Sequence, residues 1–341
     1  MKTLRITAPR ASDVVERPDP TPGPGEVLVR VGYIGLCGSD LSTWRGLNPL
    51  VTYPRIPGHE MSGIVTAVGA GVTGTKVGEA VLAIPYTACN ACSACKVGRF
   101  NCCRNNQTLG VQRDGALGAL LVLPEVKLLR VPGLDLEGLA LVEPLSVGFH
   151  AAARGRIVAG ETAVVIGCGA VGIGAVAGAA ARGARVIAVD VDPRKLDLAK
   201  RLGAAETIDS RTTDLKTALA ALDDGQGPPV LIEAVGNPAA FKICVETAAF
   251  AGRVVYIGYA KEPVAYETKY FVQKELDIMG SRNATPADFT AAGAWLAQDP
   301  SRVKALVSRI VPFSQAAEAL AAWDADPGSI TKILVDCSST N

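Results

Sequence analysis

The chain has 341 residues, a formal net charge of +1, 49 % hydrophobic residues and 20 % charged ones. That length predicts two domains that each bury a core, the composition excludes a disordered chain, and the near-neutral charge removes the electrostatic case for a nucleic-acid or membrane-surface partner. MKTLRITAPR has no apolar h-region, so nine cysteines point to metal or thiol chemistry in a cytoplasmic, reducing setting rather than to disulfides.

Taken in chain order, the N-terminal stretch reads as β-rich. Thr21-Pro22-Gly23-Pro24-Gly25-Glu26 is a turn cluster and Val27–Val31 a strand. Gly35-Leu36-Cys37-Gly38-Ser39-Asp40 and Pro57-Gly58-His59-Glu60 follow, and Leu141-Val142-Glu143-Pro144 brings a further acid. Cys, His and Glu are zinc donors, and a catalytic zinc takes three protein ligands plus an open position. The separations are too long for a local motif, so by pattern alone Cys37 also reads as a small buried residue and His59 as a satisfied histidine.

The run Cys89-Asn90-Ala91-Cys92-Ser93-Ala94-Cys95, followed by Cys102 and Cys103, is far more specific. Four thiolates close a tetrahedral shell, which marks a structural zinc, and Lys96 and Arg99 offset its charge. The pattern leaves open whether Cys102 or Cys103 is the fourth ligand.

Thr162-Ala163-Val164-Val165-Ile166-Gly167-Cys168-Gly169-Ala170-Val171-Gly172 reads as strand, G-x-G-x-x-G turn and helix start. Gly167 permits the tight turn, Gly169 lets a pyrophosphate approach the backbone, and Gly172 lets helix and strand pack closely. With Ala170 and Val171 they form the predicted cofactor turn, whose phosphates meet a helix N-terminus. The uncharged stretch from Ala163 to Ala181 parses as strand, turn and helix, not as a membrane span. Arg185–Val189 is the next strand, and Asp190 at its end is the expected partner of the adenosine ribose. A carboxylate there repels a 2′-phosphate and favours NAD over NADP, while Arg194 and Lys195, just beyond, soften that preference. Lys195–Leu202, Val230–Ala234, Ala239–Ala249 and Arg253–Gly258 continue an alternation of helix and strand, hence a parallel sheet. Pro286–Gln298 reads as a helix and Ile330–Val335 as a strand, and the C-terminal part does not extend the alternation.

These motifs together resemble the zinc-dependent medium-chain alcohol dehydrogenases, in the branch of sorbitol, threonine and sugar-acid dehydrogenases. The resemblance covers essentially the whole chain and is carried by residues 35–40, 58–60, 89–103, 142–150, 165–172 and Gly280-Ser281-Arg282-Asn283. It implies an α/β fold: a GroES-like β-rich catalytic domain at 1–147 and 281–341, with a zinc lobe at 85–110, and a Rossmann doubly wound parallel-sheet domain at 148–280 that binds NAD. It implies two zinc ions per chain. Cys89, Cys92, Cys95 and Cys103 hold the structural one. Cys37 and His59 hold the catalytic one with Glu60 or Glu143, the other carboxylate lying close enough to exchange, and Asp40 orients His59 from behind.

The activity so implied is reversible, NAD-dependent oxidation of a secondary alcohol in a polyol or sugar acid. Zinc as Lewis acid lowers the hydroxyl pKa, Ser39 takes the proton, and the nicotinamide takes hydride. Where many relatives continue the proton relay with a histidine, this chain has Ser42; His150 is the other histidine and a second relay candidate. Arg45 and Arg282 lean the reading towards a sugar acid, since guanidinium matches carboxylate bidentately. The alternatives are a threonine-type 3-dehydrogenase, a keto-sugar reductase, and a non-enzymatic dinucleotide-binding protein on the same fold. The resemblance also implies a homo-oligomer, a tetramer before a dimer, with Arg253–Gly258 and the region after it expected to supply a sheet edge.

Overall fold

The fold is that of a computed structural model, which describes residues 1–326, 328 and 330–340. The chain forms two compact units, Met1–Glu143 with Gly293–Asn341, and Pro144–Ala292. The boundaries therefore fall at 143/144 and 292/293, not at 147/148 and 280/281 as expected. The first lies inside one continuous helix, Leu136–Arg154, which turns and loops do not mark. At the second, the helix Pro286–Ala297 is tied by Asp288 to His150 before the chain leaves the unit.

The first unit is built on a sheet whose order is Arg309–Pro312, Ile333–Asp336, Glu26–Leu36, Glu60–Val68, Ala80–Ala83, Leu128–Leu129, with Leu120–Pro124 also paired to Glu26–Leu36. Glu26–Leu36 alternates buried and outward residues over its first half and is almost wholly buried over its second. That change places its far end, Ile34 to Leu36, inside the unit, next to Cys37. The C-terminal strand Ile333–Asp336 returns to pair antiparallel with Tyr33–Leu36, so distant parts of the chain meet there. Val27, Val29, Val31, Ile34, Trp44, Val65, Phe313, Trp323 and Val335 belong to one buried core.

The second unit is a six-stranded parallel sheet in the order Glu206–Asp209, Arg185–Asp190, Thr162–Ile166, Val230–Glu233, Arg253–Tyr256, Asp277–Gly280. Thr162–Ile166 is buried at every position, as a β-branched, charge-free central strand should be. Chain order reverses between Thr162–Ile166 and Val230–Glu233, which creates the switch point where a doubly wound sheet takes its ligand. Of the stretch expected to supply a sheet edge, Arg253–Tyr256 is interior, and the region after it supplies one of the two edge strands, Asp277–Gly280. The Ala/Gly helix Ala170–Ala181 is buried because it packs on another helix: a Cβ on Gly148 would lie 2.1 Å from the Ala175 nitrogen. Among the described residues no helix is long and apolar enough to cross a membrane.

Candidate active site

The site in the first unit starts from a sheet register. Gly35 stands opposite Glu60 in the antiparallel pair, and a Cβ on Gly35 would lie 2.1 Å from Glu60 Oε2. The glycine makes room for a carboxylate to fold back over the strand. Cys37 follows at once as the residue capping the helix Gly38–Trp44, and His59 immediately precedes Glu60. Donor atoms of Cys37, His59 and Glu60 all lie within 4.8 Å of one another. Asp40 is 1 % exposed and holds both ligand-bearing loops by their backbones: Oδ2 accepts the Cys37 N–H at 2.9 Å and Oδ1 the Gly58 N–H at 3.3 Å. It thus acts on the loop that carries His59, whereas His59 Nδ1 is buried without a hydrogen-bond partner.

Two residues in this cluster carried no sequence signal. Lys332 is buried and donates from Nζ to both Glu60 oxygens at 2.6 Å and to the Leu36 carbonyl at 3.2 Å. It lies just before Ile333–Asp336, the strand that the C-terminal region returns to the sheet. Tyr86 donates its hydroxyl to Glu143 Oε1 in a short hydrogen bond, both residues being buried. Glu143 lies outside the mutually close donor set of Cys37, His59 and Glu60.

The electrostatics follow from burial. Desolvation pushes the Asp40 and Glu143 carboxyls above their ordinary values, with His59 opposing it in both cases. Desolvation lowers His59, but Cys37, Asp40 and Glu143 outweigh it and hold the imidazole well above its ordinary value. For Tyr86, desolvation and Glu143 push the phenol well above 10. One thiol, one imidazole and one carboxylate are the donor types zinc takes in catalytic sites.

Ser39 lies in the same helix as Asp40, and its Oγ is buried without a partner. Its carbonyl accepts Thr43 Oγ1 at 2.9 Å and Asn48 Nδ2 at 3.5 Å. Ser42 is half-buried on that helix. Arg45 turns away from a ligand-binding role: its Nε donates to Asp324 Oδ1 at 2.5 Å, and Arg10 holds the other carboxylate oxygen at 2.9 Å. Arg282 is exposed after the edge strand of the second unit. His150 is buried there with Nδ1 bonded to Asp288 Oδ2 at 2.8 Å.

The cysteine lobe is separate and local. The sulfurs of Cys89, Cys92, Cys95 and Cys103 lie within 4.8 Å of one another, and Cys102 stands outside the set. Backbone N–H groups point at the sulfurs: Cys89 N donates to Cys103 Sγ at 3.2 Å and Cys92 N to Cys89 Sγ at 3.4 Å. The Arg104 N–H, with Cys95, lowers the Cys92 thiol to about 6, while burial raises Cys95 to about 12. No disulfide competes, since all nine cysteines are free. Four thiols facing one point suit a closed tetrahedral zinc shell.

In the second unit the glycine turn has the shape a dinucleotide needs. Gly167 has φ +97°, and a Cβ on Gly172 would lie 1.8 Å from the Gly167 carbonyl oxygen. A Cβ on Gly169 would meet nothing within 4 Å, so the backbone at the helix N-terminus faces open space where a phosphate can approach. Asp190 grips this turn: Oδ2 accepts the Cys168 N–H at 2.7 Å and Oδ1 the Val191 and Asp192 N–H groups at 2.8 and 2.9 Å. Arg194 is paired with Asp192 at 2.8 Å, and Lys195 is half-buried on the next helix.

Residues 23–133 match the model of the Alcohol dehydrogenase GroES-like domain, and residues 170–298 that of the Zinc-binding dehydrogenase. L-Galactonate-5-dehydrogenase of Escherichia coli (strain K12) is 35 % identical over 319 residues, 93 % of this chain and 94 % of that protein. Sorbitol dehydrogenase of Halalkalibacterium halodurans is 34 % identical over 307 residues, 89 % of each. Among solved structures, the short chain alcohol dehydrogenase rspB from E. coli CFT073, complexed with cofactor NADH, matches with a TM-score of 0.91 and 31 % identity, covering 98 % of this chain and 99 % of that one.

Proposed function

The chain belongs to the zinc-dependent medium-chain alcohol dehydrogenases, and on that premise we propose that it oxidises a secondary hydroxyl of a polyol or sugar acid to a ketone, reversibly, with NAD. The observation that carries this reading is the convergence of Cys37, His59 and Glu60 donors within 4.8 Å, with the buried, partnerless Ser39 hydroxyl two residues along from Cys37. Zinc held by Cys37, His59 and Glu60 supplies Lewis-acid polarisation of the hydroxyl oxygen, and NAD supplies the hydride acceptor.

The protein's own groups do the rest. Asp40 fixes the two ligand loops by their N–H groups. Lys332 holds Glu60 and neutralises it, so that the buried carboxylate is tolerated. Tyr86 orients Glu143 at the rim of the donor set. Ser39 Oγ receives the substrate proton and passes it on by way of Ser42 or solvent. Gly167, Gly169, Ala170, Val171 and Gly172 cradle the pyrophosphate. Asp190 shapes that turn and disfavours a 2′-phosphate, with Arg194 and Lys195 beside it. Cys89, Cys92, Cys95 and Cys103 hold the second, structural zinc. Asp324 engages Arg45, so the sugar-acid preference is left to the substrate assay.

We place the enzyme in a reducing cytoplasm, where a tetrathiolate lobe stays unbridged. We propose a homotetramer in which copies pair along the exposed edge strand Asp277–Gly280; sedimentation of a monomer at micromolar concentration would refute it. The functional test is NAD reduction against hexonates, hexitols and threonine, with zinc measured on the same sample. About two zinc per chain with polyol or hexonate turnover supports the reading. One zinc and no turnover of any secondary alcohol defeats it.

A further inference from the structure

The central strands of the second unit end on a buried acid to which the reaction described above gives no role. Glu233 is the last residue of Val230–Glu233 and stands opposite Ile166, the residue before Gly167. It is 0 % exposed, and no cation pairs with it among the described residues. Oε1 accepts the Val235 N–H at 2.9 Å and the Gly236 N–H at 2.7 Å, while Oε2 is buried without a partner. Desolvation pushes this carboxyl above its ordinary value, and the Gly236 and Val235 N–H groups pull against it. A buried carboxylate is costly unless it is hydrogen-bonded, and its bonds from N–H groups are of the strong, charge-assisted kind. Those two bonds fix the turn that follows the strand.

The turn is set against two others. A Cβ on Gly167 would lie 2.5 Å from Val235 Cγ2, so Val235 packs on the glycine turn, yet it remains 55 % exposed. A Cβ on Gly258 would lie 2.4 Å from both Glu233 Oε2 and the Gly236 nitrogen. The Glu233 carbonyl accepts the Ile257 and Gly258 N–H groups at 2.9 and 3.2 Å. One residue thereby ties together the ends of three neighbouring strands, Thr162–Ile166, Val230–Glu233 and Arg253–Tyr256. A doubly wound sheet binds its ligand outside those ends, where the strand order reverses, and such crevices are walled mostly by apolar side chains.

We propose, resting on the NAD reading above, that Glu233 is a positioning residue for the dinucleotide: through the Val235 and Gly236 N–H groups it holds the Val235 side chain as the crevice wall next to Gly167. Glu233 is fully buried, so it acts through the turn and not on the cofactor itself. An acceptor at Oε1 is therefore what cofactor binding requires of this position.

The test is titration of NADH into the full-length protein, followed by nicotinamide fluorescence, with the melting temperature measured on each variant. Glu233→Ala is expected to raise the NADH dissociation constant at least about tenfold. Glu233→Gln keeps an acceptor for both N–H groups and is expected to stay within about threefold of the wild type. Val235→Asp provides an exposed substitution should Glu233→Ala fold poorly, and its charge beside the pyrophosphate is expected to weaken NADH at least about tenfold. Thr247→Val removes a buried hydroxyl bonded to the Ile243 carbonyl in the same unit, and is expected to lower the melting temperature and leave NADH affinity unchanged. Unaltered NADH affinity in Glu233→Ala or in Val235→Asp overturns the proposal. So does a Glu233→Gln protein as weak as Glu233→Ala, or a Thr247→Val protein that loses as much affinity, since destabilisation alone would then account for the effect. A wild-type protein that binds no NADH defeats the NAD reading itself, and this proposal with it.

Discussion

The cysteine lobe and the Cys37 pocket lie in the same unit and gather metal donors by opposite means. In the lobe the ligands are near neighbours in sequence, all sulfur, and served by backbone N–H groups. In the pocket the donors are mixed and come from separate elements. Two of the acidic groups there are met by side chains from elsewhere in the chain, Glu60 by Lys332 and Glu143 by Tyr86, while Asp40 is held by backbone N–H groups. Four thiolates fill a tetrahedral shell and leave no coordination position for a reactant. The pocket brings three mixed donors together with a buried, partnerless Ser39 hydroxyl, the combination a site for proton transfer needs and a closed tetrathiolate does not have.

The sharpest way to break this contrast is Cys37→Ser. It is expected to lower kcat/KM by about 10³-fold or more, leave the melting temperature nearly unchanged and remove about one zinc of two. Near-normal turnover would put the lobe and the pocket in the same class. Next, Lys332→Met strands a buried carboxylate and is expected to cost about 3–5 kcal/mol in urea unfolding. Adding Glu60→Gln to it should recover most of that loss, and a double variant no more stable than Lys332→Met would show that Lys332 serves something other than Glu60.

Cys103→Ser tests the other side. Cys103 is fully buried, and its loss is expected to cost about 2–4 kcal/mol and one zinc while the remaining folded fraction turns over normally. Tyr86→Phe should cost about 1–2 kcal/mol, because it leaves Glu143 short of a buried donor, and should shift the acid limb of the kcat/KM profile.

The smallest effect concerns pH. In metal-free protein the folded Cys92 thiol lies at about 6, below its unfolded value of roughly 8.5. A depressed folded pKa contributes stability that is complete above the unfolded value and lost as pH falls through the folded one. Chelated protein should therefore lose stability between about pH 9 and 6, and Cys92→Ser should flatten that slope. Cys95, raised to about 12, acts only above this window.

The same contrast explains what could be read without coordinates. The tetrathiolate lobe and the glycine turn are contiguous motifs whose spacing reflects local backbone geometry: the four sulfurs converge, and Gly167 takes a positive φ. The parallel sheet was legible from alternating segments, because a fully buried strand such as Thr162–Ile166 must be apolar throughout. The two unit boundaries were not, because Leu136–Arg154 runs through the first as one unbroken helix. Arg45 was read as a substrate contact because its partner, Asp324, lies far along the chain and nothing local announces the pair. Lys332 and Tyr86 left no signal for the same reason: a lone lysine beside a strand and a lone tyrosine in a loop become site residues only through what they meet.

The sequence by itself determined the donor types, the turn geometry and the kind of sheet, since these rest on local spacing and side-chain chemistry. Only the tertiary structure decided which charge is balanced by which. Ion pairing and desolvation depend on distance through space, and the return of the C-terminal strand brings Lys332 onto Glu60 across 272 positions of chain.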